Sequence, residues 1–138
     1  MNAKAIIDYL VAHGIKPSVQ RLAVMEYLSE HHTHPTADEI YNALVRKIPT
    51  LSKTTVYNTL RLLVQQGAAT MLTIDERNAC FDGVTVPHAH FFCRGCGKVF
   101  DVSADELLTP SRHRLPEGFH TESVSLYYRG LCNHCANN

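Results

Sequence analysis

Two Cys-x-x-Cys pairs, Cys93/Cys96 and Cys132/Cys135, are the residues of this chain best suited to chemistry. Each pair sets two thiolates on one tight turn, and two such turns brought together make a tetrahedral sulfur site of the kind that takes Zn2+. The second pair lies close to the last residue, so a shared ion would tie that stretch back to Cys93. Redox dithiols, or structural thiols without metal, are the alternative, although paired cysteines in a reducing compartment read first as metal ligands. A group of nitrogen and oxygen donors sits beside the first pair. His88 and His90 alternate on a segment that reads as extended, which lets both imidazoles point to one side. Asp82 precedes them at the end of a hairpin pattern, and Asp101 follows the first cysteine turn on the strand that would pair with it. His34 stands far back, in His34-Pro35-Thr36-Ala37-Asp38. If all five converge, three imidazoles and two carboxylates suit Fe2+, Mn2+ or Zn2+. With His34 among them the ion joins the two halves of the chain and sets the angle between them, a switch driven by differential ligand contacts. A sulfur site that holds a fold, next to a nitrogen/oxygen site that exchanges metal, describes a sensor.

The composition agrees with that emphasis. Nine histidines in 138 residues fit metal binding better than catalysis. His13, His31, His32, His113, His120 and His134 read as ordinary surface or core residues. Cys80, outside both pairs, reads as a buried apolar thiol, with a peroxide-reactive thiol as the alternative. Lys plus Arg equals Asp plus Glu, so the net charge does not advertise a nucleic-acid binder. The first 70 residues carry seven basic and five acidic side chains, a mild bias that permits DNA contact there. No apolar run approaches the roughly 20 residues of a membrane span, and the first residues lack a signal peptide's apolar core. The expectation is a cytoplasmic protein with no membrane contact.

Which elements position these residues? Residues 3–13 read as a helix stopped by Gly14. Ser18 caps a second helix, with Val19, Leu22, Ala23, Met25, Tyr27 and Leu28 as its apolar face. Thr36 and Glu39 form a capping box for a third helix that runs to about Lys47, before Pro49. Ser52 caps a fourth, with Val56, Leu60, Leu63 and Val64 inward and Gly67 as its stop. Strands are predicted at 69–74 and 79–82, around a turn at Asp75-Glu76-Arg77-Asn78. Helices followed by a hairpin make a winged helix, with the helix at 52–66 as the one that enters the major groove. Its outer face carries Lys53, Thr54, Thr55, Tyr57, Asn58 and Arg61, types that bind phosphates and base edges, and the wing turn offers Arg77. Beyond Gly83, strands are predicted at Phe91–Cys93, Lys98–Val102 and 119–128, with a short helix from Asp105 to Arg112. This half is too small to bury much core alone. A metal would stabilise it, and pairing with a second copy would cover its strand edges.

The chain resembles the ferric uptake regulator family over nearly its whole length. The segments that carry the resemblance are Val19-Gln20-Arg21, His34-Pro35-Thr36-Ala37-Asp38-Glu39-Ile40-Tyr41, Thr55-Val56-Tyr57-Asn58-Thr59-Leu60, Phe81-Asp82, His88-Ala89-His90, Cys93-Arg94-Gly95-Cys96-Gly97-Lys98 and Gly130-Leu131-Cys132-Asn133-His134-Cys135. Within the family it is most similar to the peroxide-responsive repressors. The resemblance implies an α+β chain: an N-terminal winged helix-turn-helix domain, residues 1–83, then a small α/β dimerisation domain with a structural zinc site, residues 84–138. It implies a homodimer on a double-stranded DNA operator, with Arg21 added to the candidate contacts. It implies structural Zn2+ on the four paired cysteines and regulatory Fe2+ or Mn2+ on His34, Asp82, His88, His90 and Asp101. Iron-sensing members usually carry Glu at one or both carboxylate positions, and a further metal site of theirs is replaced here by Pro87, Ala89 and Val124. Asn58 also resembles the peroxide branch. The implied mechanism is oxidation of a ligand histidine, His34 or His88, by hydrogen peroxide at bound iron, which releases the operator. Such a protein is a sensor and not an enzyme. An iron- or zinc-responsive repressor without ligand oxidation is the alternative, and a small zinc hydrolase a distant one, since neither a His-Glu-x-x-His nor a His-x-Glu stretch is present.

Overall fold

The structure is a computed structural model that describes residues 2–73, 79–83, 89–102, 115–121 and 126–137. The chain divides into two compact units, Met1–Thr85 and Val86–Asn138.

The first unit begins with four helices, α1 (Ala3–Ala12), α2 (Val19–Glu30), α3 (Ala37–Leu44) and α4 (Lys53–Gln65). Each starts where a short polar side chain can take an otherwise orphaned backbone N–H. Asn2, Ser18, Thr36 and Ser52 accept from the amides of Ala5, Arg21, Glu39 and Thr55, and each such cap stabilises its helix by about 1 kcal/mol. Gly14 and Gly67 sit at φ 73° and 77°, the left-handed geometry that stops α1 and α4. α3 ends at Leu44, three residues short of the expected Lys47, because the Leu44 carbonyl accepts from both Lys47 and Ile48 and the chain tightens there. The apolar face of α2 is also rotated from the expected one. Val24, Met25 and Leu28 are buried, whereas Val19 is 67% exposed. Val19 lies in the first turn, where α2 has not yet met its neighbours, and the i, i+4 pair Val24/Leu28 defines the inner stripe. The core joins Ile6 and Leu10 of α1 to these residues, to Ile40 and Leu44 of α3, and to Val56, Leu60 and Leu63 of α4. Strands β1 (Thr70–Leu72) and β2 (Cys80–Asp82) then pair antiparallel, Met71 opposite Phe81. The unit is a winged helix-turn-helix. The expected turn with Arg77 lies outside the described residues.

The second unit is a three-stranded sheet in the order β4-β3-β5, with β3 (Ala89–Cys93), β4 (Val99–Val102) and β5 (Tyr127–Gly130). β4 runs antiparallel to β3 and β5 parallel to it. A single helical turn, α5 (Asn133–Ala136), follows β5. The strand expected at 119–128 is shifted. Phe119, His120 and Thr121 are not in a strand, and β5 continues to Gly130. Pairing decides its end: β3 offers partners as far as Cys93, which stands opposite Gly130. The helix expected at Asp105–Arg112 lies outside the described residues. Among the described residues no helix is long and apolar enough to cross a membrane.

Candidate metal-binding residues and DNA-reading face

The sulfur cluster follows from strand register. β3 delivers Cys93 to the first turn, and parallel β5 delivers Gly130 alongside it, so Leu131 and Cys132 continue past the same end of the sheet. The Arg94 amide donates to the Gly130 carbonyl at 2.9 Å and locks the two chain ends together. Sγ atoms of Cys93, Cys96, Cys132 and Cys135 all lie within 4.8 Å of one another. Cys96 and Cys132 sulfurs are 4.0 Å apart, near the edge of about 3.8 Å for a tetrahedron with Zn–S arms of about 2.3 Å, and far from a disulfide's ~2.05 Å. Gly95 is a steric requirement: a Cβ there would meet Cβ and Sγ of Cys135 at 3.0 Å. Amides of Cys132 and Cys96 donate to Cys93 Sγ at 3.3 and 3.5 Å. These two amides, with smaller help from neighbouring groups, lower the Cys93 thiol to about 6. Cys135 is pushed up to about 12, chiefly because its thiol donates to Cys93 and then to Cys132. The cluster thus favours ionisation at Cys93 and opposes it at Cys135. Four converging sulfurs fit one zinc ion better than two separate dithiols.

Each unit also builds one imidazole–carboxylate pair. In the first, Thr36 bridges Cys80 antiparallel, and the Phe81 amide donates to the Pro35 carbonyl at 2.9 Å. Continued one step further, that pairing brings His34 to Asp82. His34 Nε2 stands 3.5 Å from Asp82 Oδ2, with both side chains almost fully buried. His34 holds φ at 58° immediately before Pro35. A non-glycine residue in that region costs about 1–3 kcal/mol and persists only where its surroundings over-determine it; here the fixed bridge to β2 supplies the constraint. In the second unit, His90 of β3 faces Asp101 of β4 across the ladder, Nε2 to Oδ1 at 3.5 Å. His90 is buried and Asp101 open. Both pairs offer the hard oxygen and borderline nitrogen donors that suit first-row divalent ions. His88 lies outside the described residues.

Of the histidines that read as structural, His13 and His31 close helices. Their Nδ1 atoms donate to the Tyr9 and Tyr27 carbonyls at 2.8 and 3.0 Å, and each ring lies against the same tyrosine. Cys80 is buried in the β1–β2 ladder opposite Leu72.

α4 shows Lys53, Thr54, Tyr57, Asn58 and Arg61 to solvent, and its opposite face fills the core. Thr55 is half-buried, its hydroxyl bonded to Ser52 Oγ at 2.9 Å. Arg21 donates from Nη1 to the Lys16 carbonyl at 2.8 Å. Arg21, Lys16 and Gln20 line a groove of about 400 Å3 beside Thr55 and Asn58 of α4. Lys16 and Gln20 are not among the contacts expected from the sequence.

The sequence model of the ferric uptake regulator family matches residues 12–129. The chain is 37% identical over 136 residues to the peroxide operon regulator of Bacillus subtilis, covering 96% of this chain and 92% of that protein. It is 37% identical over 125 residues to the peroxide-responsive repressor PerR of Staphylococcus epidermidis, covering 88% and 82%. The crystal structure of the Campylobacter jejuni peroxide stress regulator superposes with a TM-score of 0.71 at 26% identity, over 98% of this chain and 99% of that one.

Proposed function

The chain belongs to the ferric uptake regulator family, whose named relatives here are transcriptional regulators rather than enzymes, and from that premise we propose that it is a cytoplasmic, homodimeric, metal-dependent repressor that senses hydrogen peroxide. In this reading residues 1–83 bind an operator through Lys53, Thr54, Thr55, Tyr57, Asn58 and Arg61, with Arg21 and Arg77 on the backbone. Residues 84–138 dimerise. Cys93, Cys96, Cys132 and Cys135 hold structural Zn2+ and stabilise a sheet too small to stand on apolar burial alone.

His34, Asp82, His88, His90 and Asp101 would hold the regulatory Fe2+ or Mn2+. Bound Fe2+ supplies the redox chemistry that activates peroxide at the site. The chain's own part is to place an imidazole there. His34 or His88 takes one oxygen atom from peroxide, and the other leaves as water. An oxidised imidazole is a poor ligand, so the arrangement that favours the operator is lost.

The observation that carries this reading is the buried His34–Asp82 pair on a strained backbone. The pair offers a nitrogen and an oxygen donor of the kind that first-row divalent ions take, and aspartate rather than glutamate at both carboxylate positions fits the resemblance to the peroxide branch. The test is peptide mass spectrometry on Fe2+-loaded protein treated with modest peroxide, with a Mn2+-loaded control. One added oxygen on the His34 or His88 peptide in the iron sample alone is expected. Unmodified histidine peptides, with operator binding that still follows metal, would leave a metal-level repressor instead.

A further inference from the structure

The recognition helix α4 does not present its side chains freely: two of them rest on α3. The Tyr57 hydroxyl donates to Asp38 Oδ1 at 3.4 Å. Lys53 Nζ lies 5.6 Å from the centroid of the Tyr41 ring, within reach of a cation–π attraction. Asp38 is exposed, in the first turn of α3, and α3 is itself fixed by the Thr36 cap and the Thr36–Cys80 bridge. An acidic side chain on a face that meets DNA weakens binding by simple charge. In the first turn of α3 Asp38 complements the helix's positive end, and its contact with Tyr57 gives it a second role. A phenol has one proton to donate and lone pairs to accept with. With its proton directed to Asp38, Tyr57 meets the groove as an acceptor. A phosphate oxygen cannot donate to it. In the major groove the donors are the exocyclic amino groups of adenine (N6) and cytosine (N4).

Resting on the operator-binding reading, we infer that Asp38 is a positioning residue that turns Tyr57 into a hydrogen-bond acceptor for the amino group of an adenine or cytosine, and so sets sequence preference at one operator position. At 3.4 Å the contact is longer than an ordinary O–H···O bond of about 2.5–3.0 Å, so its effect is on the direction of the phenol and not on stability.

Charge, fold and positioning give different results for two substitutions. Asp38→Asn removes the charge but keeps an acceptor oxygen; Asp38→Ala removes both. The experiment is selection from a random-sequence duplex DNA pool with full-length, zinc- and Mn2+-loaded protein, comparing wild type, Asp38→Asn, Asp38→Ala and Tyr57→Phe. Thermal unfolding accompanies each variant. Wild type and Asp38→Asn should enrich the same motif. Asp38→Ala and Tyr57→Phe should both lose preference at one shared position, an adenine or cytosine in the wild-type motif, by about fivefold or more. A double variant carrying Asp38→Ala and Tyr57→Phe, selected alongside, should lose no more than either single one. Tighter binding by both Asp38 variants with an unchanged motif would make Asp38 a mere repulsive charge and overturn the inference. So would a shared position that is guanine or thymine. If Asp38→Ala unfolds, Asp38→Asn and Tyr57→Phe decide alone: an unchanged motif in Tyr57→Phe overturns it. Failure of wild type to enrich any motif would instead remove the operator-binding reading, and this inference with it.

Discussion

Replacing Gly95 with alanine tests the sulfur cluster at its tightest point. The added Cβ would stand 3.0 Å from both Cβ and Sγ of Cys135 and 3.2 Å from Leu131 Cδ2. Comfortable carbon contacts need about 3.5–4.0 Å, so the neighbours must yield by roughly half an ångström. The Leu131 methyl can swing away. Cys135 cannot, because α5 carries it and its sulfur belongs to the cluster. Overpacking of this kind costs about 1–3 kcal/mol. Spent on displacing one ligand, that is about a 5- to 150-fold loss of zinc affinity. Gly97 provides the control. It sits at φ 75°, and a Cβ added there would meet nothing within 4 Å, so its requirement is conformational and not steric. Asparagine tolerates left-handed geometry. Gly97→Asn should therefore keep most of the affinity, and Gly95→Asn should lose it as Gly95→Ala does. The assay is zinc competition against a chromogenic chelator on the full-length protein, with thermal unfolding in parallel. A Gly95→Ala protein that holds zinc as tightly as wild type would refute the reasoning, because the four sulfurs would then not share one ion in this arrangement.

Zinc uptake should release protons and weaken as the pH falls, since Cys135, pushed up to about 12, must ionise to bind; chelator competition across pH ~6 to ~8 in a weak buffer checks this, and a flat profile would count against thiolate ligation. For metal-free protein the signs oppose. Cys93 lies at about 6, below an unfolded thiol's ~8.5, so its contribution is full above ~8.5 and lost as the pH falls through 6. Cys135 contributes below ~8.5 and its share is lost as the pH rises through 12. Without metal, the two cysteines' summed contribution to stability is therefore largest near pH ~8.5, between the two shifts. In the first unit, Leu28→Ala should cost about 2–5 kcal/mol by denaturant titration, because Leu28 is completely buried. Val19→Ala should change stability by no more than about 0.5 kcal/mol, because that side chain is 67% exposed.

The parts legible from sequence are those set by local chemistry. α2, α3 and α4 each start at a serine or threonine before an apolar-periodic run, and the glycine stops at Gly14 and Gly67 hold left-handed geometry. Paired cysteines announce a metal knuckle because few other roles need two thiols on one turn. What escapes depends on neighbours. Val19 reads as inward because its type is apolar, yet only tertiary contact decides which stripe of α2 is inner. The end of β5 depends on the reach of β3, and the end of α3 on a carbonyl shared by two amides. The left-handed His34 is invisible for the same reason: the residue before a proline favours extended backbone, and only the bridge to β2 forces another geometry.

Both histidine–aspartate pairs are products of antiparallel register, and this explains why ligands so distant in sequence meet within each unit. In the second unit, Ala89 opposite Val102 and Phe91 opposite Phe100 set His90 directly opposite Asp101. In the first, a single bridge at Thr36–Cys80 and one Phe81–Pro35 hydrogen bond do the work of a strand. Slipping either pairing by one residue would turn the imidazole to the opposite face from its carboxylate. The same two constraints act on neighbouring residues for other reasons. Thr36 caps α3, and Phe81 belongs to the core that Leu63 and Ala68 share. The His34–Asp82 geometry is thus held in part by groups that the fold needs anyway, and core burial and a helix cap help oppose the strain at His34.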